Sequence, residues 1–85
     1  MMKKKEVMLR SLIDDIDEEV LELKNCLRSV RNTCHTSFML KADDEFCDHL
    51  DQTVEVLAKR IGLLEENRAK AYRELETAFY ARIKS

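Results

Sequence analysis

From Leu9 to Ser37 the residues suited to an interior recur at alternating steps of four and three: Leu9, Ile13, Ile16, Val20, Leu23, Leu27, Val30, Cys34 and Ser37. This is the ~3.5-residue period at which supercoiled helices keep one stripe turned toward each other. From Cys47 the alternation resumes with Cys47, Leu50, Val54, Leu57, Ile61, Leu64, Arg68, Ala71, Leu75, Ala78 and Arg82. The two stripes are out of phase. Continuing the first would place inward positions at Asp48 and Glu55, whereas the stripe stands one residue earlier, at Cys47 and Val54. One residue is ~100° of helix rotation, so a single straight helix would swing its apolar stripe onto another face. A break near residue 42 is therefore expected, and Lys41-Ala42-Asp43-Asp44 is the polar stretch that supplies it. Asp43 or Asp44 can cap a new helix by accepting a backbone N–H bond, and both carboxylates suit its N-terminal dipole.

In an antiparallel hairpin the position numbers of facing residues add to a constant. One choice pairs every stripe position with another: Leu9 with Leu75, Ile13 with Ala71, Ile16 with Arg68, Val20 with Leu64, Leu23 with Ile61, Leu27 with Leu57, Val30 with Val54, Cys34 with Leu50 and Ser37 with Cys47. Sliding by one heptad would move the turn to Glu45-Phe46 or Phe38-Met39 and expose aromatic or apolar residues at its tip, so the polar turn selects this register. The chain is thus read as all-α and as one domain. Helix 1 covers about residues 4–40, the turn about 41–44 and helix 2 about 44–84, each arm being ~57 Å long at 1.5 Å per residue. Composition agrees: the 85 residues include no Pro, one Gly and 38% charged side chains, as long amphipathic helices require.

Two helices bury only one stripe each, yet Val7, Met8, Leu12, Leu21, Phe38, Leu40, Phe46, Val56, Leu63, Tyr72, Phe79 and Tyr80 lie off the seam. A lone seam is also a small core to set against the entropy of ordering the chain. The expectation is self-association, most simply two hairpins in a four-helix bundle, or pairing with another helical protein. Phe46, Val56, Leu63, Tyr72 and Phe79 are the expected contact residues, by helix-in-groove packing. The function so implied is an oligomeric adaptor, an assembly subunit or a small helical chaperone. In size and outline the chain looks like the short helical co-chaperones of bacterial secretion systems and like coiled-coil subunits of cytoskeletal or kinetochore assemblies.

Charge is distributed by position. Doubling back gathers Lys3, Lys4, Lys5, Arg10, Lys70, Arg73, Arg82 and Lys84 at one end, and Asp43, Asp44, Glu45, Asp48 and Asp51 at the other. A basic pole suits an acidic protein surface, RNA or a phospholipid headgroup, and a nucleic-acid-binding dimer is the alternative function. The net charge of −2 and pI of 5.7 give no global pull toward nucleic acid. The belt Asp14, Asp15, Asp17, Glu18, Glu19 and Glu22 lies within a helix and lacks the Gly-containing loop that wraps calcium, so it reads as a solvated face. No apolar run reaches the ~18 residues of a membrane span, and Met1-Met2-Lys3-Lys4-Lys5-Glu6 is not followed by the apolar stretch of a secretory signal. The chain is expected in the cytoplasm or nucleus, with Cys26, Cys34 and Cys47 as reduced thiols.

The remaining candidates for chemistry are few. Arg68 and Arg82 occupy seam positions, where a charge can set register or reach the edge to meet Glu65, Glu19 or Asp17. Cys34-His35 and Cys47-x-His49 hold zinc-type ligands, but the cysteines point into the seam and the histidines onto outer faces. Packed cysteines and solvated histidines are therefore expected, with no metal or cofactor. A catalytic role is not expected, since there is no Gly-rich turn, nucleophile elbow or base–orienter pair. The segment Leu9-Arg10-x-x-Ile13-Asp14-x-Ile16-Asp17 nevertheless resembles the opening of the all-helical chorismate mutases, intertwined helical dimers that hold a dicarboxylate with arginines and a lysine. The resemblance covers nine residues and implies a ligand-binding role for Arg10. Where that family has its second arginine this chain has Leu27, and where it has the lysine this chain has Phe38; Arg28 and Lys41 lie nearby on other faces.

Overall fold

The computed structural model describes residues 3–41 and 43–84. They form two helices, α1 (Lys4–Met39) and α2 (Asp44–Lys84), folded back on one another as a rod of 65 × 16 × 14 Å. The chain is a helical hairpin.

Neither Gly nor Pro ends α1. The Leu40 N–H donates to the Thr36 carbonyl at 2.9 Å and the Lys41 N–H to the Phe38 carbonyl at 3.2 Å, so the last turn tightens. Lys41 then takes a left-handed conformation with φ of 56°, which turns the chain out of the helix as a glycine commonly does after a helix C-terminus. Of the two candidate caps Asp43 does the capping: its Oδ1 accepts the Phe46 N–H at 2.7 Å and its carbonyl accepts the Cys47 N–H at 3.2 Å. Asp44 and Glu45 occupy the first turn of α2, and Arg82 and Lys84 the last. Both placements complement the helix dipole.

Burial follows the two stripes. Leu9, Ile13, Ile16, Ser37, Ile61, Leu64 and Ala71 are buried, while Val20, Leu23, Leu27, Val30, Cys34, Cys47, Leu50, Val54, Leu57, Arg68, Leu75, Ala78 and Arg82 are half-buried. Leu9, Ile13 and Ala71 pack together with Leu75 against them, in the register the facing-pair argument selects. Only Glu6 and Glu19 depart from exposure among the described residues outside the stripes. The turn region is less polar than the choice of register assumed, for Met39 and Leu40 stand 65% and 76% exposed just before it.

The two halves of the rod differ. Among the described residues four ion pairs cross between the arms: Glu6 with Arg82 at 3.1 Å, Asp17 with Arg68 at 2.5 Å, Glu19 with Arg60 at 3.0 Å and Lys24 with Glu65 at 3.3 Å. They run from the end that carries Lys3 and Lys84 to the middle of the rod, as do the buried apolar residues of the core. Toward the turn, the apolar seam residues from Leu27 and Leu57 onward are only half-covered by the opposing helix.

Candidate protein-interaction surface

On an α-helix whose stripe faces its partner, the flanking positions fall on two separate sides. One side of the hairpin, in its turn half, presents Cys26, Ser29, Thr33, Thr36 and Leu40 from α1 and Phe46, His49, Thr53 and Val56 from α2, all exposed. None carries a formal charge with histidine neutral. Its threonine hydroxyls are also occupied: Thr33 donates to the Ser29 carbonyl at 3.0 Å, Thr36 to the Asn32 carbonyl at 3.0 Å and Thr53 to the His49 carbonyl at 2.9 Å. These threonines meet their own hydrogen-bonding needs within the helix. The surface therefore asks little of water over the half of the rod whose seam is least covered. We call it the bare flank. The opposite side of the same half carries Arg28, Arg31, His35, Asp48, Asp51 and Glu55, a charged face that also holds Phe38, 78% exposed.

The contact residues named from sequence divide between these two sides. Phe46, Val56 and Leu63 fall on the side of the bare flank, 44%, 65% and 55% exposed, Leu63 lying just beyond the paired Arg60. Tyr72 and Phe79 fall on the opposite side, where they serve the hairpin itself. The Arg68 guanidinium lies 4.6 Å from the Tyr72 ring centre and that of Arg82 lies 5.4 Å from the Phe79 ring. Each seam arginine is thus held between a carboxylate of α1 and a ring of α2, an arrangement that shelters its charge where the seam is apolar. The Asp17 carboxylate, by hydrogen bond and charge, and Tyr72 push the Arg68 guanidinium above its ordinary range.

Arg68 meets Asp17, one of the three partners expected for the seam arginines. Arg82 does not meet Glu65 or Glu19, which are engaged by Lys24 and Arg60. Its partner is Glu6, 2% exposed, whose Oε1 makes no hydrogen bond. Glu6 stands three residues before Leu9 and so continues the stripe backward; beginning the seam at the first apolar residue hides it. The basic end is correspondingly less free, since Arg82 is committed to Glu6.

Cys34, His35, Phe38, Cys47 and Asp51 line a hollow of about 360 Å³ near the turn; His49 is not part of it. Among the described residues no group of three or more His, Cys, Asp or Glu side chains gathers as a metal site. Partial burial, then Asp44, Asp51, the neighbouring Cys34 and Asp43, push the Cys47 thiol above its ordinary value. Cys26 is exposed on the bare flank. Arg10 lines a separate hollow of about 300 Å³ with Ile13, Asp14, Tyr72 and Leu75, where an acid faces any anion. Arg28 and Lys41 are carried along α1 up to ~45 Å away at 1.5 Å per residue, so within one chain the three cations do not converge.

No protein-family model, curated protein or solved structure matches the chain. Among the described residues no helix is long and apolar enough to cross a membrane.

Proposed function

We propose that this helical hairpin is a protein–protein interaction module, an assembly subunit that offers its bare flank to other amphipathic helices. The observation carrying this reading is the coincidence, in the turn half, of a half-covered seam with a flank that has no formal charge and whose threonine hydroxyls bond within their own helix. Leu40, Phe46 and Val56, exposed beside that seam, are apolar surface of the kind that marks interaction sites. Its partners are helical, because a groove between two helices accepts a third by the same side-chain interdigitation that joins the first two. Adaptor and small-chaperone roles are variants of this reading and differ in the partner's fate.

The basic end favours nucleic acid less, since Arg82 is tied to Glu6 and a salt-sensitive phosphate grip needs cations at liberty. A dicarboxylate-handling enzyme is disfavoured by the spread of Arg10, Arg28 and Lys41 along the rod. The test is cross-linking of the tagged chain in cell extract, comparing wild type with Val56→Glu and Leu63→Glu, whose helicity is checked by circular dichroism. Loss of adducts in both variants, with helicity retained, is expected. Adducts that survive both substitutions would reject the bare flank as the contact surface.

A further inference from the structure

We propose that Cys34 and Cys47 form a reversible disulfide site, oxidised by a small disulfide of the glutathione type, that staples the two arms where their seam is thinnest. The site lies apart from the bare flank and does not depend on what that flank binds.

The two cysteines belong to opposite arms, and both are half-buried in the seam. Both line the hollow of about 360 Å³ that they share with His35, Phe38 and Asp51. With Cys34 facing Leu50 and Cys47 facing Ser37, they stand one seam step apart, three residues or ~4.5 Å along the rod. Packed helix axes lie ~8–10 Å apart and each inward Cα stands up to ~2.3 Å off its axis, which sets the two Cα atoms roughly 6–8 Å from one another. A disulfide spans up to ~6.8 Å between Cα atoms, so a small closing movement of the arms suffices. The half that has to move is the half least braced. Its seam is half-covered, and among the described residues no cross-arm ion pair involves a residue between 25 and 59. The thiols are also near enough for charge on Cys34 to be felt at Cys47. Cys26 is exposed and stands off the seam ~12 Å along α1 from Cys34, too far to compete within one hairpin.

The exchange balances with the small disulfide, RSSR, as its one co-reactant. The Cys34 thiol gives its proton to solvent and attacks one sulfur of RSSR; a mixed disulfide forms, and the departing RS⁻ takes up a proton. The Cys47 thiol, deprotonated in turn, attacks the Cys34 sulfur and expels the second RS⁻, which is protonated likewise. Two electrons pass from the protein to the reagent, giving one protein disulfide and two RSH. Cys34 attacks first because partial burial and the carboxylates around it disfavour the Cys47 thiolate, and the thiolate is the attacking form. The finished bond closes a loop over the twelve residues 35–46 and ties the thin half of the seam across its width.

The test equilibrates the full chain with glutathione buffers of graded oxidised-to-reduced ratio, in water and in denaturant, followed by acid quenching and peptide mapping by mass spectrometry. Mixed isotopically light and heavy chains separate bonds within a molecule from bonds between molecules. A bond from Cys34 to Cys47 within one molecule is expected, with Cys26 carrying glutathione alone. The folded chain should form it at a ratio about tenfold or more below that needed by the unfolded chain, since a fold that favours the bond is favoured by it to the same degree. Oxidation should slow amide exchange about tenfold in the helical stretches flanking the turn and leave residues 9–16 as they were. Cys47→Ser should accumulate the mixed disulfide of Cys34 with glutathione. Four results overturn the proposal: a folded chain that needs an equal or higher ratio than the unfolded one, bonds formed only between molecules, a bond that leaves exchange near the turn unchanged, or no Cys34 adduct in Cys47→Ser.

Discussion

Glu6 shows what one buried carboxylate does to a thin core. It is almost wholly covered, with Arg82 on one oxygen and nothing on the other, so removing the arginine leaves a desolvated charge with no partner. Arg82→Ala is expected to cost about 2–4 kcal/mol in denaturant unfolding, less than for a fully enclosed pair because Arg82 itself reaches water. Replacing both partners, Glu6→Met with Arg82→Leu, should leave stability equal or higher, since an apolar pair needs no compensation. The cysteines give a second test. Cys26 is exposed and should be alkylated well before Cys34 and Cys47, as mass spectrometry of partly modified protein would reveal. Folding raises the Cys47 thiol above its ordinary value of 9.0. Above that pH the unfolded chain therefore loses its proton first, and the hairpin should lose stability as pH climbs further. Cys47→Ser should flatten that part of the stability profile. These residues differ in how far they could be read beforehand. Arg68 at a seam position, with Asp17 close by in the facing register, announces its own rescue, whereas Glu6 is visible only if the stripe is extended past its last apolar member. Which acid each surface cation chooses was not legible, because exposed pairs differ by only tenths of a kcal/mol.

At the scale of the elements, both helices and the break between them could be read because phase is an unforgiving quantity. A one-residue slip between stripes has no solution in a straight helix, and the burial pattern obeys it at every stripe position from Leu9 to Arg82. What phase alone does not convey is how the chain turns. Lys41 adopts the left-handed conformation, which costs a residue with a Cβ roughly 1 kcal/mol. Lys41→Gly should accordingly stabilise the hairpin by about 0.5–1 kcal/mol in thermal or chemical unfolding, and Lys41→Val should do the reverse. The bare flank was legible in its parts and not as a whole. Phe46, Val56 and Leu63 stood out as apolar residues off the seam, but the charge-free strip around them emerges only when the flanks of both arms are laid side by side. Tyr72 and Phe79 looked equivalent to them from sequence and are distinguished by the arginines they cover.

Across the whole molecule, bracing is uneven. Among the described residues the cross-arm ion pairs and the best-buried apolar residues run from the open end to the middle of the rod, and the seam thins toward the turn. Amide hydrogen exchange should therefore be slowest around residues 9–16 and 61–71 and faster in the helical stretches nearer the turn, because local opening follows where few apolar contacts resist it. The strained backbone at Lys41 carries a further consequence. Were that residue to relax into helical geometry and the chain run on as one shaft of ~120 Å, the slip between the stripes would leave them facing ~100° apart. Neither half could then rebuild its seam by exchanging arms with a neighbour in the hairpin's register, so the bend that Lys41 and the Asp43 cap impose also keeps each molecule from interlocking with its kin.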